Sequence, residues 1–377
     1  MTSSSHRTSR QESRVNSGIL AGENNHGLAS VHEVDPRGDI RWQSLVQRHP
    51  HASIFHHVGW LNALYRSYGY EPVVFTTSPS SSELENGMLF CRIRSWVTGS
   101  RIVSLPFSDH CAPLCDWGTG FVSLIGHLQA TRVKQNWKYV EIRPVNGEFD
   151  GTAKKLGFET AGKFILHCID LEPAADEIFR RLHKDSVQRR IRHAERFGVV
   201  EVCGRSQGLL KDFFRLMVRT RARHNLPPQP YHWFKNVLEC MGDAADVRLA
   251  YMQNVPVAAI LALHFKGASY YKYACTDERF HHLGAMPFLL WRLILKAKSI
   301  GSRTLDLGRT GSDDSGLMTF KNHWTPICQQ LTYFVFPSDR PPTFMKDWKL
   351  TMFKHFCALL PNGALTAAGR LIYRHIG

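Results

Sequence analysis

The two halves of the chain repeat one order of strands and helices, and this repeat limits the fold more than any other feature. In the first half, the strand KYVEIRP precedes a short helix near DGTAKKLGF and the strand ETAGKFILHCIDL. In the second half, RTLDLGR precedes a helix near SGLMTFKNHW and the strand ICQQLTYFVF. The leading strand of each set has an acid between apolar residues, in Val140-Glu141-Ile142 and Leu305-Asp306-Leu307. We therefore expect an α+β fold of two similar domains, with chance similarity of two mixed sheets as the alternative.

Changes in composition along the chain suggest four segments. Residues 1–27 are rich in Ser, Arg and Asn and predict a disordered tail. Residues 28–172 predict a first domain that mixes strands and helices. Residues 173–338 predict a second domain, which opens with a basic helix in EIFRRLHKDSVQRRIRHAERFG. Residues 339–377 predict carboxy-terminal helices.

Apolar residues recur at helical spacing in this last segment, at Met345, Trp348, Met352, Phe356 and Leu359. The pattern favours a helix that covers the core over one that lies on a membrane surface. Two arginines near the end of the chain, Arg370 and Arg374, keep the membrane alternative open.

The charge balance favours a negatively charged partner. The chain has 47 Lys and Arg against 32 Asp and Glu, which gives a formal net charge of +15. This excess suits nucleic acid, a nucleotide-linked substrate or an anionic membrane face, and does not distinguish among them. Nine cysteines without a C-x-x-C pattern indicate reduced thiols in a cytoplasmic protein. The histidine pairs are adjacent rather than four residues apart, so no metal site is predicted.

The segment from 303 to 324 carries the polar residues best suited to chemistry. A strand leads into a loop rich in Gly, Ser and Asp, and a short helix begins near Asp314, which is expected to cap it. Asp306 is a candidate proton acceptor, or else forms a structural hydrogen bond. Arg309 suits a phosphate or carboxylate, or else a loop ion pair. Lys321 can place a positive charge beside a developing oxyanion, unless it is simply solvated.

Two further groups of residues are candidates for binding. Arg189, Arg190 and Arg192 suit a phosphate-rich chain or a nucleotide-sugar pyrophosphate, although a basic solvated helix face is the simpler interpretation. His110 lies beside Cys111, but no spacing supports a thiol nucleophile there, and packing within a loop is the favoured interpretation.

Five blocks of the sequence, in the same order, resemble the FemAB-like acyltransferases, which are tandem GNAT-fold proteins. They are SIFHHVGWLNALYRSYGYEPVVF, RIVSLPFSDHCAPLCD, KYVEIRP, VQRRIRHAERFGV and TLDLGRTGSDDSGLMTFKNHW, and the resemblance covers about residues 30–335. The family includes enzymes that move an amino acid from aminoacyl-tRNA onto the peptide stem of a peptidoglycan precursor. It extends to BioF2-like N-acetyltransferases encoded with exopolysaccharide or cellulose export systems.

The resemblance implies two GNAT-like domains and points to particular residues. The Phe-Lys pair that is implicated in activity in the peptidoglycan branch corresponds to Phe320 and Lys321. The acetyl-CoA loop of ordinary GNAT enzymes corresponds to RFHHLGAMP, which keeps Gly284 and Ala285 but lacks the full Q/R-x-x-G-x-G/A pattern. A phosphate site at that helix start is therefore an expectation rather than a motif match.

The resulting expectation is an N-acyltransferase that moves an acetyl or aminoacyl group onto an amine of a sugar or peptide carrier. The implied donor is acyl-CoA, with charged tRNA as the alternative, and the site is expected in a groove shared by the two domains. Cell-envelope or exopolysaccharide biosynthesis is the implied setting, with a peripheral contact at the inner membrane face as an option. A scaffold that has kept the fold and lost activity remains the non-enzymatic alternative.

Overall fold

Two copies of one run of elements make up most of the protein. The computed structural model describes residues 29–116, 118–145, 147–337, 357 and 360–376. The predicted amino-terminal tail and the helix predicted around Met345 to Leu359 lie outside these residues, apart from Cys357. The first copy consists of β1 (His32–Val34), α1 (Ile40–Arg48), α2 (Val58–Tyr68), β2 (Glu71–Thr76), β3 (Met88–Ile93), β4 (Arg101–Val103), α3 (Thr119–Lys134), β5 (Val140–Ile142), α4 (Asp150–Ala153) and β6 (Glu159–Asp170).

The second copy follows two connecting helices and repeats the same order. The connecting helices are α5 (Ala175–Arg181) and α6 (Arg189–Arg196). The copy itself consists of β7 (Val200–Gly204), α7 (Gln207–Arg223), α8 (Tyr231–Met241), β8 (Ala245–Met252), β9 (Val255–Phe265), β10 (Ala268–Thr276), α9 (Ala285–Ser299), β11 (Thr304–Gly311), α10 (Ser315–Asn322) and β12 (Cys328–Phe336), and α11 (Asn362–Ile372) comes after it.

The strands form one twelve-stranded sheet in the order β1-β2-β3-β4-β5-β12-β6-β11-β10-β9-β8-β7. Read inward from its two edges, the sheet has the same pairings twice. The first four strands of each copy are antiparallel neighbours, and the fourth and fifth strands, β4 with β5 and β10 with β11, are parallel. The repeated order in the sequence therefore reflects a repeated topology.

The last strand of each copy crosses to the other copy. β12 pairs with β5, β6 pairs with β11, and β6 and β12 pair with each other, all antiparallel. The predicted α+β class, two similar units with mixed sheets and flanking helices, is confirmed. The finding that differs is one continuous sheet where the sequence suggested two units side by side, because this exchange of strands joins the halves.

The helices of the two copies share a hydrophobic core. Trp60 of α2 and Trp233 of α8 are fully buried and meet edge to face, with ring centroids 5.2 Å apart. Gly59 allows this approach, since a Cβ atom there would lie 2.4 Å from the carbonyl oxygen of Cys240. The core between α2 and α8 thus fixes the two copies against each other on one face of the sheet.

In the described part of the chain, no helix is long and apolar enough to cross a bilayer. The eleven-residue apolar run from Val255 to Phe265 forms β9, and its residues 257–263 are buried. Asp314 caps α10 as expected, because its side chain accepts a hydrogen bond from the backbone N–H of Leu317 at 2.9 Å.

Candidate active site

The parallel pair β10–β11 opens part of the way along its length. The two strands are paired from Ala268 with Thr304 to Tyr270 with Asp306. Beyond these residues β10 continues along β9 and β11 continues along β6, and both have an irregular register just past the last parallel pair. The two strands therefore separate beyond Tyr270 and Asp306 and leave an opening between them.

A pocket of ≈ 490 Å³ is lined by residues from the start of β9, the end of β10, and helices α6, α9 and α10. Its walls include Thr276 at the end of β10, Gly284 and Ala285 at the start of α9, and Phe320 on α10. Arg190 of α6 contributes the basic side chain. The volume is in the range of small-molecule sites in proteins, so the pocket is large enough to hold a ligand. The two residues that the sequence suggested for cofactor binding lie at this pocket.

Gly284 is required by both its backbone conformation and its surroundings. Its φ is +73°, and a Cβ atom there would lie 2.5 Å from the carbonyl oxygen of Arg190. Residues other than glycine adopt such a φ at a cost, and a backbone oxygen cannot move away as a flexible side chain can. Gly284 therefore lets α6 close over the start of α9.

Replacing Gly284 by alanine should lower the free energy of unfolding by clearly more than the ~1–2 kcal/mol expected for the left-handed conformation alone. Gly301 provides the matched control, because its φ is +77° and its Cβ atom would meet nothing within 4 Å. Urea unfolding of Gly284→Ala and Gly301→Ala checks this. Equal losses in the two variants would contradict the close contact with α6.

The start of α9 presents few backbone donors but a basic rim. Pro287, the third residue of the helix, has no N–H, so the first turn has fewer donors than an ordinary phosphate-binding helix start. Side chains supply the charge. Arg190 donates to the carbonyl oxygen of His281 at 3.1 Å, and Arg223 lies 3.3 Å from the Nε2 atom of the same histidine. Burial lowers the pKa of His281, and the positive charge of Arg223 lowers it further.

The three arginines predicted as one binding cluster do not come together. Arg190 lines the pocket. Arg189 is exposed and pairs with Asp185 at 2.9 Å, and the guanidinium of Arg192 lies 5.4 Å from the ring centroid of Phe179. Consecutive residues on a helix point in directions about 100° apart, which separates them. Of the three, Arg190 is the one that lines the pocket.

Asp306 forms a buried pair with a histidine from the first copy. Its Oδ2 atom lies 3.1 Å from Nε2 of His110, and its Oδ1 atom accepts the backbone N–H of Gly308 at 2.6 Å. Both side chains are less than one-tenth exposed. Among the described residues, Nδ1 of His110 has no hydrogen-bond partner. Because a bond to a carboxylate requires the proton on Nε2, the lone pair of Nδ1 is free to accept one.

Phe320 and Lys321 are consecutive residues of α10 with different surroundings. Phe320 lines the pocket. The ammonium of Lys321 is directed to β11, where it donates to the carbonyl oxygens of Gly308 at 2.6 Å and Arg309 at 3.1 Å. Lys321 is only 2% exposed, and burial lowers its pKa to about 8. A buried ammonium with three N–H donors, two of them used by carbonyl oxygens, keeps one donor for a third acceptor.

A second group of charges adjoins this lysine. The carboxylate of Asp109 lies 2.8 Å from Nζ of Lys272 and 3.9 Å from Nε of Arg309. Burial alone would raise the pKa of Asp109, but the charges of Lys272 and Arg309 outweigh it and hold the pKa at about 2. The guanidinium of Arg309 also lies 4.2 Å from the ring centroid of Phe164. Arg309 is thus held in an ion pair, the alternative that the sequence left open for it.

Reasoning from the sequence missed Asp109 and Lys272 and assigned His110 only to loop packing. The useful signals were the polar segment SDHC after β4 and a lysine among the aromatic residues of YYKYAC. The neighbouring thiol is not a nucleophile of this site. Cys111 is buried, its Sγ lies 3.4 Å from Nε2 of His56, and burial raises its pKa to about 12.

The first copy has a counterpart of Asp306 with a different role. Glu141 of β5 lies opposite Val103 in the parallel pair, as Asp306 lies opposite Tyr270. Glu141 forms a buried ion pair with Arg143 at 2.7 Å, and Arg143 donates to the carbonyl oxygens of Leu105 and Ser108. In this copy the acid therefore supports the loop that carries Asp109 and His110. In the described residues, no group of three or more side chains could hold a metal ion.

Comparison with known proteins agrees with the fold. Residues 181–322 match the family described as an acetyltransferase (GNAT) domain, a range that contains Arg190, Gly284, Phe320 and Lys321. No curated protein matches the chain. Among solved structures, FemX is similar with a TM-score of 0.65 and 13% identity, over 81% of this chain and 97% of FemX.

Two further structures are similar over most of their length. L-PGS from Bacillus licheniformis has a TM-score of 0.51 and 14% identity, over 90% of this chain and 98% of that protein. The C-terminal domain of a putative lysylphosphatidylglycerol synthetase from Agrobacterium fabrum has a TM-score of 0.51 and 13% identity, over 84% and 94%. At identities this low, the structural similarity establishes a shared fold and nothing further. The resemblance to the FemAB-like proteins is thus confirmed in fold: the chain shares the fold of FemX, and residues 181–322, in its second copy, match a GNAT acetyltransferase domain.

Proposed function

We propose that the protein transfers an acyl group from acyl-CoA to an amine of a sugar or peptide carrier. The observation that carries this proposal is the position of α10 between the pocket and the buried charges. Phe320 forms a wall of the pocket, and the next residue, Lys321, reaches the turn after Asp306. A donor in the pocket would therefore have its reactive end near an ammonium and a paired acid.

The donor is proposed from the charge and the size of the pocket. Arg190 and Arg223 both contact His281 at the rim, so phosphate groups would meet positive charge there. The slender arm that links the phosphates of CoA to its thioester suits a pocket of this volume. The match of residues 181–322 to a GNAT acetyltransferase domain supports the same choice. Because acyl-CoA is a cytoplasmic metabolite, a cytoplasmic location belongs to the proposal.

The residues around Asp306 can perform the proton transfer that the reaction needs. The amine nitrogen bonds to the carbonyl carbon of the thioester, and the bond from that carbon to sulfur breaks. Nδ1 of His110 accepts the proton of the amine, and Asp306 stabilises the resulting imidazolium. The remaining N–H of Lys321 is the donor proposed for the carbonyl oxygen as negative charge develops on it. The thiolate leaves and takes up the proton from the imidazolium of His110, which returns the histidine to its neutral form.

The acceptor is proposed from the resemblance to the FemAB-like proteins and from the partly exposed edge of the group of charges formed by Asp109, Lys272 and Arg309. Asp109 and Arg309 are its partly exposed members, with side chains 18% and 28% accessible. They come from different copies, so an acceptor bound there would contact both. Polar groups of a sugar or peptide carrier suit such a pair. Cell-envelope or exopolysaccharide biosynthesis, with a peripheral contact at the inner membrane face, completes the proposal.

Aminoacyl transfer from charged tRNA is the second candidate. The chain shares its fold with L-PGS and with a putative lysylphosphatidylglycerol synthetase domain, and its net charge of +15 suits a polynucleotide. The same proton transfer and oxyanion donor would serve an ester carbonyl. Loss of catalysis with retention of the fold is the remaining alternative.

Thermal shift measurements with acetyl-CoA, CoA and charged tRNA separate these three functions. A ligand of the folded protein at a hundred times its dissociation constant stabilises it by about 2.7 kcal/mol, which raises the melting temperature. We expect acetyl-CoA and CoA to raise it. A shift with charged tRNA alone would replace the proposal by aminoacyl transfer, and no shift with any of the three would favour the scaffold.

A pair of variants tests whether CoA raises the melting temperature by binding in the pocket. Arg190→Ser removes the basic side chain that lines the pocket, whereas Arg189→Ser removes an exposed arginine of the same helix that pairs with Asp185. The shift with CoA should be largely lost in Arg190→Ser and kept in Arg189→Ser. Equal shifts in the two variants would mean that CoA binds elsewhere.

A further inference from the structure

Exposed apolar side chains and arginines gather where the end of the chain meets the turn after β3. Trp96 is 90% exposed, Leu371 is 72% exposed, and Val97 and Ile376 are more than half exposed. We call this surface the terminal patch, and it consists of Trp96, Val97, Arg370, Leu371, Arg374 and Ile376. Large apolar side chains of a soluble surface are normally scattered singly, so a group of four with two arginines is unusual.

The two segments of the terminal patch are held together by polar bonds on their inner side. Nδ1 of His375 lies 2.9 Å from Oγ of Ser95, and its carbonyl oxygen accepts from Thr98 at 2.9 Å and from Arg101 at 2.8 Å. The ring of Trp96 lies edge to face with that of His375, with centroids 5.7 Å apart. The patch is therefore a defined surface, assembled from residues that are far apart in the sequence.

The end of α11 is fixed to both copies of the fold. The hydroxyl of Tyr70 donates to the carbonyl oxygen of Tyr373 at 2.6 Å, and the hydroxyl of Tyr373 donates to the carbonyl oxygen of Pro227 at 3.2 Å. These hydrogen bonds pair the polar groups of Tyr373 with other parts of the protein. The apolar side chains that remain outside are thus presented to solvent by a rigid support.

The two segments of the chain that form the terminal patch carry charge of one sign. Residues 91–101 and 360–376 contain no Asp or Glu, while Arg370 and Arg374 are exposed. Arg94, beside the patch, is paired with Glu71 at 3.4 Å, so its charge is balanced. Exposed Trp and aliphatic side chains flanked by arginine are the combination that enters the headgroup region of a negatively charged bilayer.

We infer that the terminal patch docks the protein onto an anionic lipid surface. Trp96, Leu371 and Ile376 would enter the headgroup region, and Arg370 and Arg374 would lie among lipid phosphates. The charge of the patch favours lipid over an apolar protein partner, because both arginines are left without an acidic neighbour in their own segment. The inference deepens the membrane contact that is part of the proposed function, but it does not depend on the transfer chemistry, because binding to vesicles requires no turnover.

Sedimentation with vesicles tests this inference. The full chain should sediment with vesicles of phosphatidylcholine and phosphatidylglycerol, and poorly with phosphatidylcholine alone. The variant Trp96→Ser/Leu371→Ser/Ile376→Ser should lose binding by about tenfold or more. Ile40→Ser/Val200→Ser/Ile327→Ser is the matched control, since it removes three exposed apolar residues elsewhere and should bind like the unchanged protein.

Charge reversal and light scattering complete the test. Arg370→Glu/Arg374→Glu should also abolish binding, and added salt should weaken binding of the unchanged protein. Equal binding by the patch variant and its control would overturn the inference, as would no binding to anionic vesicles. A change of molar mass in solution in the patch variant alone would identify the patch as a contact between copies of the chain and would overturn it too.

Discussion

Replacing Lys321 by methionine should lower the rate constant of acyl transfer by about a hundred- to a thousandfold, the usual loss when one oxyanion donor is removed. Methionine keeps much of the length of the side chain but removes the ammonium that donates to Gly308 and Arg309. Steady-state kinetics under saturating donor check this. Lys296→Met, on the exposed side of α9, is the control and should keep full activity.

The protonation of Lys321 gives this prediction a dependence on pH. Burial lowers the pKa of this lysine to about 8 in the folded protein, compared with its ordinary value of 10.5. Activity that needs the ammonium should therefore decline as the pH rises through about 8. Full activity of Lys321→Met, with a normal unfolding transition, would remove the lysine from the mechanism.

The same lowered pKa predicts how stability changes with pH. Between about pH 8 and 10.5 the unfolded chain binds the proton of Lys321 more strongly than the folded protein does. The free energy of unfolding should thus gain a contribution from this group as the pH rises through that interval. Lys321→Met should lack that contribution, and urea unfolding at several pH values compares the two proteins.

Replacing Asp306 by asparagine should lower kcat/KM by about a hundred- to ten-thousandfold, the range for loss of general acid–base catalysis. Asparagine can still accept the N–H of Gly308, so the turn after Asp306 should persist. His110 would lose the carboxylate that stabilises its protonated form. Asp313→Asn changes an exposed carboxylate of the same loop and should have little effect.

A double variant distinguishes a shared role from two separate ones. If Asp306 and His110 act as a unit, Asp306→Asn/His110→Gln should be no slower than the more damaged single variant. Losses that multiply would contradict the pairing seen at 3.1 Å.

The order of elements was readable from the sequence, but the pairing of the central strands was not. The strands around Glu141 and Asp306 appear where the alternation of apolar and polar residues put them. Nothing in the sequence of β6 or β12 indicates that each pairs with the other copy. Strand partners are chosen by long-range contacts, and a local pattern does not encode them.

Only part of the candidate site could be predicted, because long-range contacts also bring its residues together. Phe320 and Lys321 were found through the resemblance, but an eight-residue helix is too short for its pattern to say which of them is buried. Asp306 was a candidate because of its place in a strand. Its partner His110 lies 196 residues away, and only the fold brings the two together. Lys272 was missed because it lies among the tyrosines of β10, which read as residues of a packed sheet.

For the three arginines, the sequence suggested too many pocket residues and not too few. A run of basic residues in a sequence suggests one surface, but a helix distributes neighbours around its axis. Arg190 reaches the pocket, while Arg192 stacks on Phe179. Local sequence thus overstated the cluster and could not identify the member that lines the site.

The most direct test of the central claim is a crystal structure of the protein with a non-reactive analogue of acetyl-CoA. The proposed mechanism predicts the analogue in the pocket between α9 and α10, with its carbonyl oxygen about 3 Å from Nζ of Lys321. An analogue bound elsewhere, or a carbonyl facing solvent while Lys321 contacts only Gly308 and Arg309, would contradict it.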